Sequence, residues 1–133
     1  DVYKRQVTEG VFLVVKPEFG CPTGEAYRKY DESPLEIHGG LERFTAGLPG
    51  NYAPEMYSVF QKLYSDRRIE DICDRLTALG AKGAMLTGSG SAVFGVFDNE
   101  ANAKRASGEF PGCFTAVSGC VREGVSITER EVL

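Results

Sequence analysis

The residues with the most chemical potential lie in one short run, Thr87-Gly88-Ser89-Gly90-Ser91, set between two apolar segments. Glycine reaches positive φ without steric cost and lets another group approach the backbone, while hydroxyls and successive N–H groups can converge on an anion. The chemistry on offer is contact with a phosphate or with another stretch of backbone. An ordinary Gly-Ser-Gly hairpin turn is the plain alternative, and taken alone the run fits it better. It is not a Walker A loop, since no Gly-Lys-Ser or Gly-Lys-Thr follows, and not a dinucleotide fingerprint, since Val93 stands where the third glycine belongs.

A second candidate is the pair Thr23 and Tyr27, four residues apart and so on one face of a short helix. They read either as a cap and a packed aromatic or as a ligand wall, with Tyr27 stacking on a flat ring and Thr23 hydrogen-bonding beside it. His38, the only histidine, has no acid or nucleophile at suggestive spacing and reads as an exposed loop residue. Cys21, Cys73, Cys113 and Cys120 show no Cys-x-x-Cys spacing, which argues against a zinc site and for thiols in a reducing compartment.

The elements that must position these residues can be read from periodicity. Ala84 to Leu86 and Ala92 to Phe97 read as strands flanking the glycine run. Val11 to Val15 is a continuous apolar run that suits a strand buried on both faces. Thr23 is expected to cap a helix reaching about Tyr30, and Ser33-Pro34-Leu35-Glu36 signals a second short helix. Leu41 to Leu48 predicts one or two helical turns before the Pro49-Gly50-Asn51 break. A helix is expected from Ala53 through Met56, Val59, Phe60 and Leu63. Another runs from the Ser65-Asp66 cap through Ile69, Ile72, Cys73, Leu76 and Leu79 to Gly80, with its charges as a solvated face. A last helix begins at Asp98 or Asn99 and stops at Gly108, and Cys113 to Val121 is the final strand, with Phe114, Ala116, Val117 and Val121 as its apolar members. The order predicts an α+β, ferredoxin-like split β-α-β sandwich: a mostly antiparallel four-stranded sheet with helices packed on one face.

The 133 residues suit one domain, expected over 7–133, with Asp1 to Gln6 resembling a spurious leader on a fragmentary gene model. A net charge of −4 argues against a dedicated nucleic-acid binder, and no apolar run reaches membrane-spanning length, so a cytoplasmic protein is expected.

The order of elements, the segment Leu79-Gly-Ala-Lys-Gly-Ala-Met-Leu-Thr-Gly-Ser-Gly-Ser-Ala-Val-Phe-Gly-Val-Phe97, and Val14-Val-Lys-Pro with Cys21-Pro-Thr-Gly-Glu-Ala-Tyr27 together resemble the carboxy-terminal domain of GHMP kinases. The resemblance covers about Val11 to Val121. It implies transfer of the ATP γ-phosphate, with Mg2+, to a hydroxyl of a small metabolite. The member of the family it is most similar to uses a cytidine diphosphate-linked acceptor in non-mevalonate isoprenoid biosynthesis. By position, Tyr27 matches the family's aromatic flanking the cytosine ring, Thr23 lies beside it, and Gly88, Ser89, Gly90 and Ser91 match the loop near the phosphate site. The family's ATP-binding Pro-x-x-x-Gly-Leu-Gly-Ser-Ser-Ala segment, magnesium helix, and catalytic lysine and aspartate belong to an amino-terminal domain that this sequence lacks. The resemblance therefore implies no catalytic or metal-ligating residue here, no tight binding of ATP or Mg2+ by this chain alone, and a partner in that missing domain. Asn51 to Glu55 follows the family's Asn-x-Leu-Glu pattern only loosely.

Two alternatives stay open. One is a related GHMP kinase with a homoserine- or mevalonate-type acceptor. The other is a free-standing binding or oligomerisation module that self-associates through an exposed interdomain face.

Overall fold

In the computed structural model, which describes residues 9–34, 41–48 and 50–120, strand β1 (Val11–Lys16) alternates in burial instead of being uniformly covered. Leu13 and Val15 are fully buried, while Val11, Phe12 and Val14 remain half-buried. The expectation of a strand covered on both faces is corrected accordingly. Helices among the described residues pack on the Leu13 side, and the opposite face carries Phe12 against Phe94, ring centroids 5.9 Å apart.

Strand β1 is nevertheless central. It pairs antiparallel with β3 (Val93–Phe97) on one side and β4 (Phe114–Gly119) on the other, and β2 (Gly83–Leu86) pairs antiparallel with β3, giving the order β2-β3-β1-β4. Leu13 stands opposite Gly95 and Val117, and this register sends Leu13, Val15, Val93 and Phe97 to one face. That order and pairing are the ferredoxin-like arrangement read from the sequence.

Helix α4 (Arg67–Ala78) covers β2 and β3, and α5 (Glu100–Ser107) covers β1 and β4. In α4 the buried residues Ile69, Cys73 and Leu76 fall four and three apart on one stripe, and Asp66 caps its start by accepting from the Arg68 N–H at 2.9 Å. In α5 the caps and small residues act together: Asn99 accepts from the Asn102 N–H at 2.8 Å, and Ala103 and Ala106 let the helix approach the sheet. Leu13, Val15, Ile69, Leu76, Leu86, Val93 and Phe97 form the centre of the core, each burial worth about 1.5–3 kcal/mol.

Three local readings change. The helix expected from Ala53 is instead a 3₁₀ turn (Ala53–Glu55), an extended link, and α3 (Val59–Tyr64). Pro54 fits only the first turn of a helix, and Ser58 adopts extended backbone and starts a new one by accepting from the Gln61 N–H at 3.3 Å. Thr23 is the first residue of α1 (Thr23–Glu32), not its cap; Pro22 holds the cap position and the Thr23 hydroxyl donates to the Cys21 carbonyl at 3.4 Å. The final strand is narrower than expected, with Cys113 and Cys120 outside β4, and of its apolar members Phe114 is 67% exposed while alternation puts Val117 on the core side. Helix α2 (Leu41–Gly47) falls where helical turns were expected. The helix read at Ser33-Pro34-Leu35-Glu36 extends beyond the described residues, as do His38 and Val121; Ser33 itself ends α1, its N–H donating to the Lys29 carbonyl at 3.0 Å.

Candidate functional site

The glycine run connects β2 to β3 at one end of the sheet. Gly88 (φ +57°) and Gly90 (φ +89°) both take the left-handed conformation that glycine admits freely. Within the loop, the Thr87 N–H donates to the Ala92 carbonyl at 2.9 Å and the Gly90 N–H to the Thr87 carbonyl at 3.2 Å. Space is tight at Gly90, where a Cβ would lie 2.7 Å from Cys21 Sγ. That contact brings the start of α1 against the loop, so the two groups of residues singled out in the sequence share one end of the molecule.

Ser91 faces inward. At 2% exposure it is the buried polar residue under the loop, and its hydroxyl donates to the Phe19 carbonyl while accepting from Lys16 Nζ at 2.8 Å. Lys16 Nζ also donates to the Pro17 carbonyl at 2.7 Å. The guanidinium of Arg68 stacks over the Phe19 ring at 3.8 Å while forming an ion pair with Asp66. Two cations therefore border the base of a loop on a protein whose net charge is −4, and one of them, Lys16, bonds neutral oxygens.

The tip of the loop is held from the other side. Tyr64, at the end of α3, donates its hydroxyl to the Ser89 carbonyl at 2.7 Å. Its ring lies 6.0 Å from that of Phe60, and Phe60 meets Tyr27 edge-on at 5.0 Å. Tyr27 is 57% exposed. Its ring is thus braced by a nearly perpendicular Phe60 ring while much of the residue faces solvent, which leaves room for a flat partner.

The Cys21 thiol beside the loop is pushed above its ordinary range, chiefly by burial and then by the Asp66 carboxylate, against the opposing charges of Arg68 and Lys16. It stays protonated at neutral pH and is no nucleophile. Among the described residues no group of three or more His, Cys, Asp or Glu side chains is placed to hold a metal ion. No described helix is long and apolar enough to cross a membrane. A cavity of about 270 Å³ lined by Met56, Tyr57, Gln61, Lys62 and Met85, among others, includes neither Tyr27 nor the glycine loop.

The structure thus places Thr23 and Tyr27 on α1, and Gly88, Ser89, Gly90 and Ser91 in a loop packed against Cys21, two residues before that helix. Lys16, Phe60 and Tyr64 were not singled out from the sequence as site residues. Phe60 carried a packing signal as part of an apolar stripe, and Lys16 read only as the end of a strand; for Tyr64 no local signal points 25 positions ahead to Ser89.

An antiparallel β2-β3-β1-β4 sheet with a clasped glycine loop at one end defines a ferredoxin-like module. The family described as GHMP kinases C terminal matches residues 40–115, and the chain belongs to that family. It is 32% identical over 101 residues to 4-diphosphocytidyl-2-C-methyl-D-erythritol kinase of Clostridium novyi (strain NT), covering 71% of this chain and 36% of the relative. To the kinase of the same name from Caldanaerobacter subterraneus subsp. tengcongensis it is 31% identical over 137 residues, covering 93% of this chain and 47% of the relative. The crystal structure of a 4-(cytidine 5'-diphospho)-2C-methyl-D-erythritol kinase shares the fold with a TM-score of 0.68 at 20% identity, over 87% of this chain and 44% of that one. The chain therefore spans between about a third and a half of the length of these curated relatives.

Proposed function

We propose that this chain is the acceptor-side half of a small-molecule kinase that transfers the γ-phosphate of ATP to the 2-hydroxyl of 4-diphosphocytidyl-2-C-methyl-D-erythritol, in isoprenoid biosynthesis by the non-mevalonate route. The observation that carries this reading is the exposed Tyr27 ring braced edge-on by Phe60. An aromatic held in that way is useful when the acceptor carries a base to stack on, and a homoserine- or mevalonate-type acceptor carries none. Thr23, one turn earlier on α1, supplies a hydroxyl on the same side of the helix.

In this reading the Gly88–Ser91 loop approaches the phosphates without supplying catalysis. Its glycines allow close approach, and Lys16, which bonds neutral oxygens, lends local positive charge, while the charge of Arg68 is balanced by Asp66. Phosphoryl transfer depends on positioning, metal and charge stabilisation, so the nucleotide cradle, the Mg2+ site and the base are assigned to the amino-terminal domain that the family pairs with this one. The chain alone is expected to be inactive, and the complete enzyme to work in the cytoplasm.

The test is a chimera in which this chain follows the amino-terminal half of the Caldanaerobacter kinase. The expected result is ATP-dependent phosphorylation of the cytidyl acceptor by the chimera and none by this chain alone. Tyr27→Ala is expected to raise KM about tenfold or more, the scale of a lost base-aromatic stack. A folded chimera that phosphorylates homoserine or mevalonate instead, or whose KM ignores Tyr27→Ala, overturns the assignment.

A further inference from the structure

The Ser89–Gly90 peptide unit is restrained at both of its polar ends. Its carbonyl accepts from the Tyr64 hydroxyl at 2.7 Å, and its N–H donates to the Thr87 carbonyl at 3.2 Å. A peptide is planar, so fixing the carbonyl fixes the direction of the N–H as well. Gly90 makes this restraint necessary. A glycine takes either sign of φ at similar energy, so the backbone that permits φ +89° also permits the peptide to turn over. Turned over, it would present an oxygen where the present arrangement turns that oxygen toward α3, and an outward carbonyl repels an anion.

We propose that Tyr64 is a positioning residue for the glycine loop: its hydroxyl keeps the Ser89 carbonyl turned inward, so that the loop stays receptive to the phosphates of the acceptor. This rests on the phosphate-site reading of the loop, and it adds a residue outside the loop that determines the loop's polarity. Tyr64 suits the task because its ring is half-buried against the core and packed on Phe60, which in turn packs on Tyr27. A hydroxyl carried on an anchored ring stays where the loop needs it. The same row of rings places the acceptor-facing aromatic and the loop on one support.

The variant that isolates the hydroxyl is Tyr64→Phe, which keeps the ring and its packing. In the full 133-residue chain, amide hydrogen exchange is measured residue by residue. Exchange of the Gly90 amide is expected to quicken about three- to tenfold, the scale of one lost hydrogen bond, while the amides of Leu13 and Val15 in β1 keep their parent rates. Equal acceleration in β1 would mean that Tyr64 contributes only to global stability, and unchanged exchange at Gly90 would mean that its hydroxyl does not fix the loop. Either result overturns the proposal.

A second arm titrates the same two proteins with cytidine 5'-diphosphate and follows backbone amide shifts. The parent is expected to respond at Tyr27 and at Ser89 to Ser91, and Tyr64→Phe at Tyr27 alone. Full loop responses in Tyr64→Phe would overturn the proposal. Absence of any response at Tyr27 in the parent would count against the cytidyl reading, while the exchange measurement would still decide the role of Tyr64.

Discussion

The Lys16 ammonium and the Ser91 hydroxyl, 75 positions apart in sequence, meet at 2.8 Å, and through them the end of β1 grips the glycine loop from beneath. The hydroxyl is buried, and it donates its own hydrogen bond to the Phe19 carbonyl. Ser91→Ala removes both contacts at once. It leaves the Phe19 carbonyl with only the 3.5 Å contact from Lys16, so a cost of about 1–3 kcal/mol is expected, the penalty of an undersatisfied buried group. Urea unfolding checks it: the midpoint falls while the slope stays at its parent value. An unmoved midpoint would show that the grip adds nothing to stability.

The two glycines of the loop are expected to respond differently to alanine. At Gly88 a Cβ meets open space, so Gly88→Ala carries only the left-handed backbone cost of about 1–2 kcal/mol. At Gly90 the added carbon would lie 2.7 Å from Cys21 Sγ and 3.2 Å from Leu86 Cδ1, and Gly90→Ala is expected to cost clearly more. Removing the sulfur should recover the largest steric part, leaving the Leu86 contact and the backbone part. A cycle of Gly90→Ala, Cys21→Ala and the double variant measures this as a non-additive, favourable coupling. Equal costs at the two glycines, or strict additivity, would contradict the contact.

The contrast between those glycines marks where the sequence stops being legible. Their spacing announces a loop able to take positive φ, and both do so, because that property is local to the residue. The succession of strands along the chain was equally readable, since each strand carries its own apolar pattern and turn residues bound it. Burial of β1 on both faces was misjudged at Phe12 and Val14, because an apolar run states only what could be covered. The helix expected at Ala53 broke at Ser58 because a hydroxyl cap and Pro54 outweighed the apolar stripe. What holds the site together was hidden for another reason. Lys16, Phe60 and Tyr64 act on partners brought to them by the sheet and by the packing of α3, and no spacing in one sequence reports a contact between Tyr64 and Ser89. For Lys16 a faint signal exists: a lysine closing an apolar strand and preceding Pro17 must find oxygens there or leave the sheet.

Asp66 gives the fold a dependence on acid. Its carboxylate accepts from the Arg68 N–H at 2.9 Å and from the Arg68 guanidinium at 2.8 and 3.1 Å, and the Arg68 side chain is the main reason its pKa lies below the ordinary carboxylate value. Because the folded value is the lower one, the contribution is present in full above the unfolded value of 3.8 and is lost as the pH falls through the folded value. At neutral pH Asp66→Ala is expected to cost about 1 kcal/mol, the worth of a helix cap, and Asp66→Asn less, since its amide oxygen still accepts. Thermal midpoints of parent and Asp66→Ala followed down to about pH 3 should draw together at the acid end. A gap that stays constant throughout would mean that the ionised carboxylate is not what stabilises α4.

At the alkaline end the corresponding group is Cys73, 7% exposed on the buried stripe of α4. Burial, and then the charges of Glu70 and Asp74, push its thiol from 9.0 up to about 12, against a weak opposing contact from Gln61. A raised folded value means that the unfolded chain ionises first. Stability is therefore whole below pH 9.0 and declines as the pH climbs toward about 12. Lysines and tyrosines titrate in the same range, so the informative quantity is a difference. Cys73→Val keeps an apolar side chain of similar size and cannot ionise, and the stability gap between it and the parent should shift in its favour between about pH 8 and about pH 10.5. Alkylation gives an independent check. At about pH 8 iodoacetamide is expected to modify the exposed Cys120 quickly and Cys73 only as fast as the protein opens, since the reacting species is the thiolate. Rapid labelling of Cys73 in the folded chain, or a gap that does not move with pH, would show that its thiol ionises within the fold.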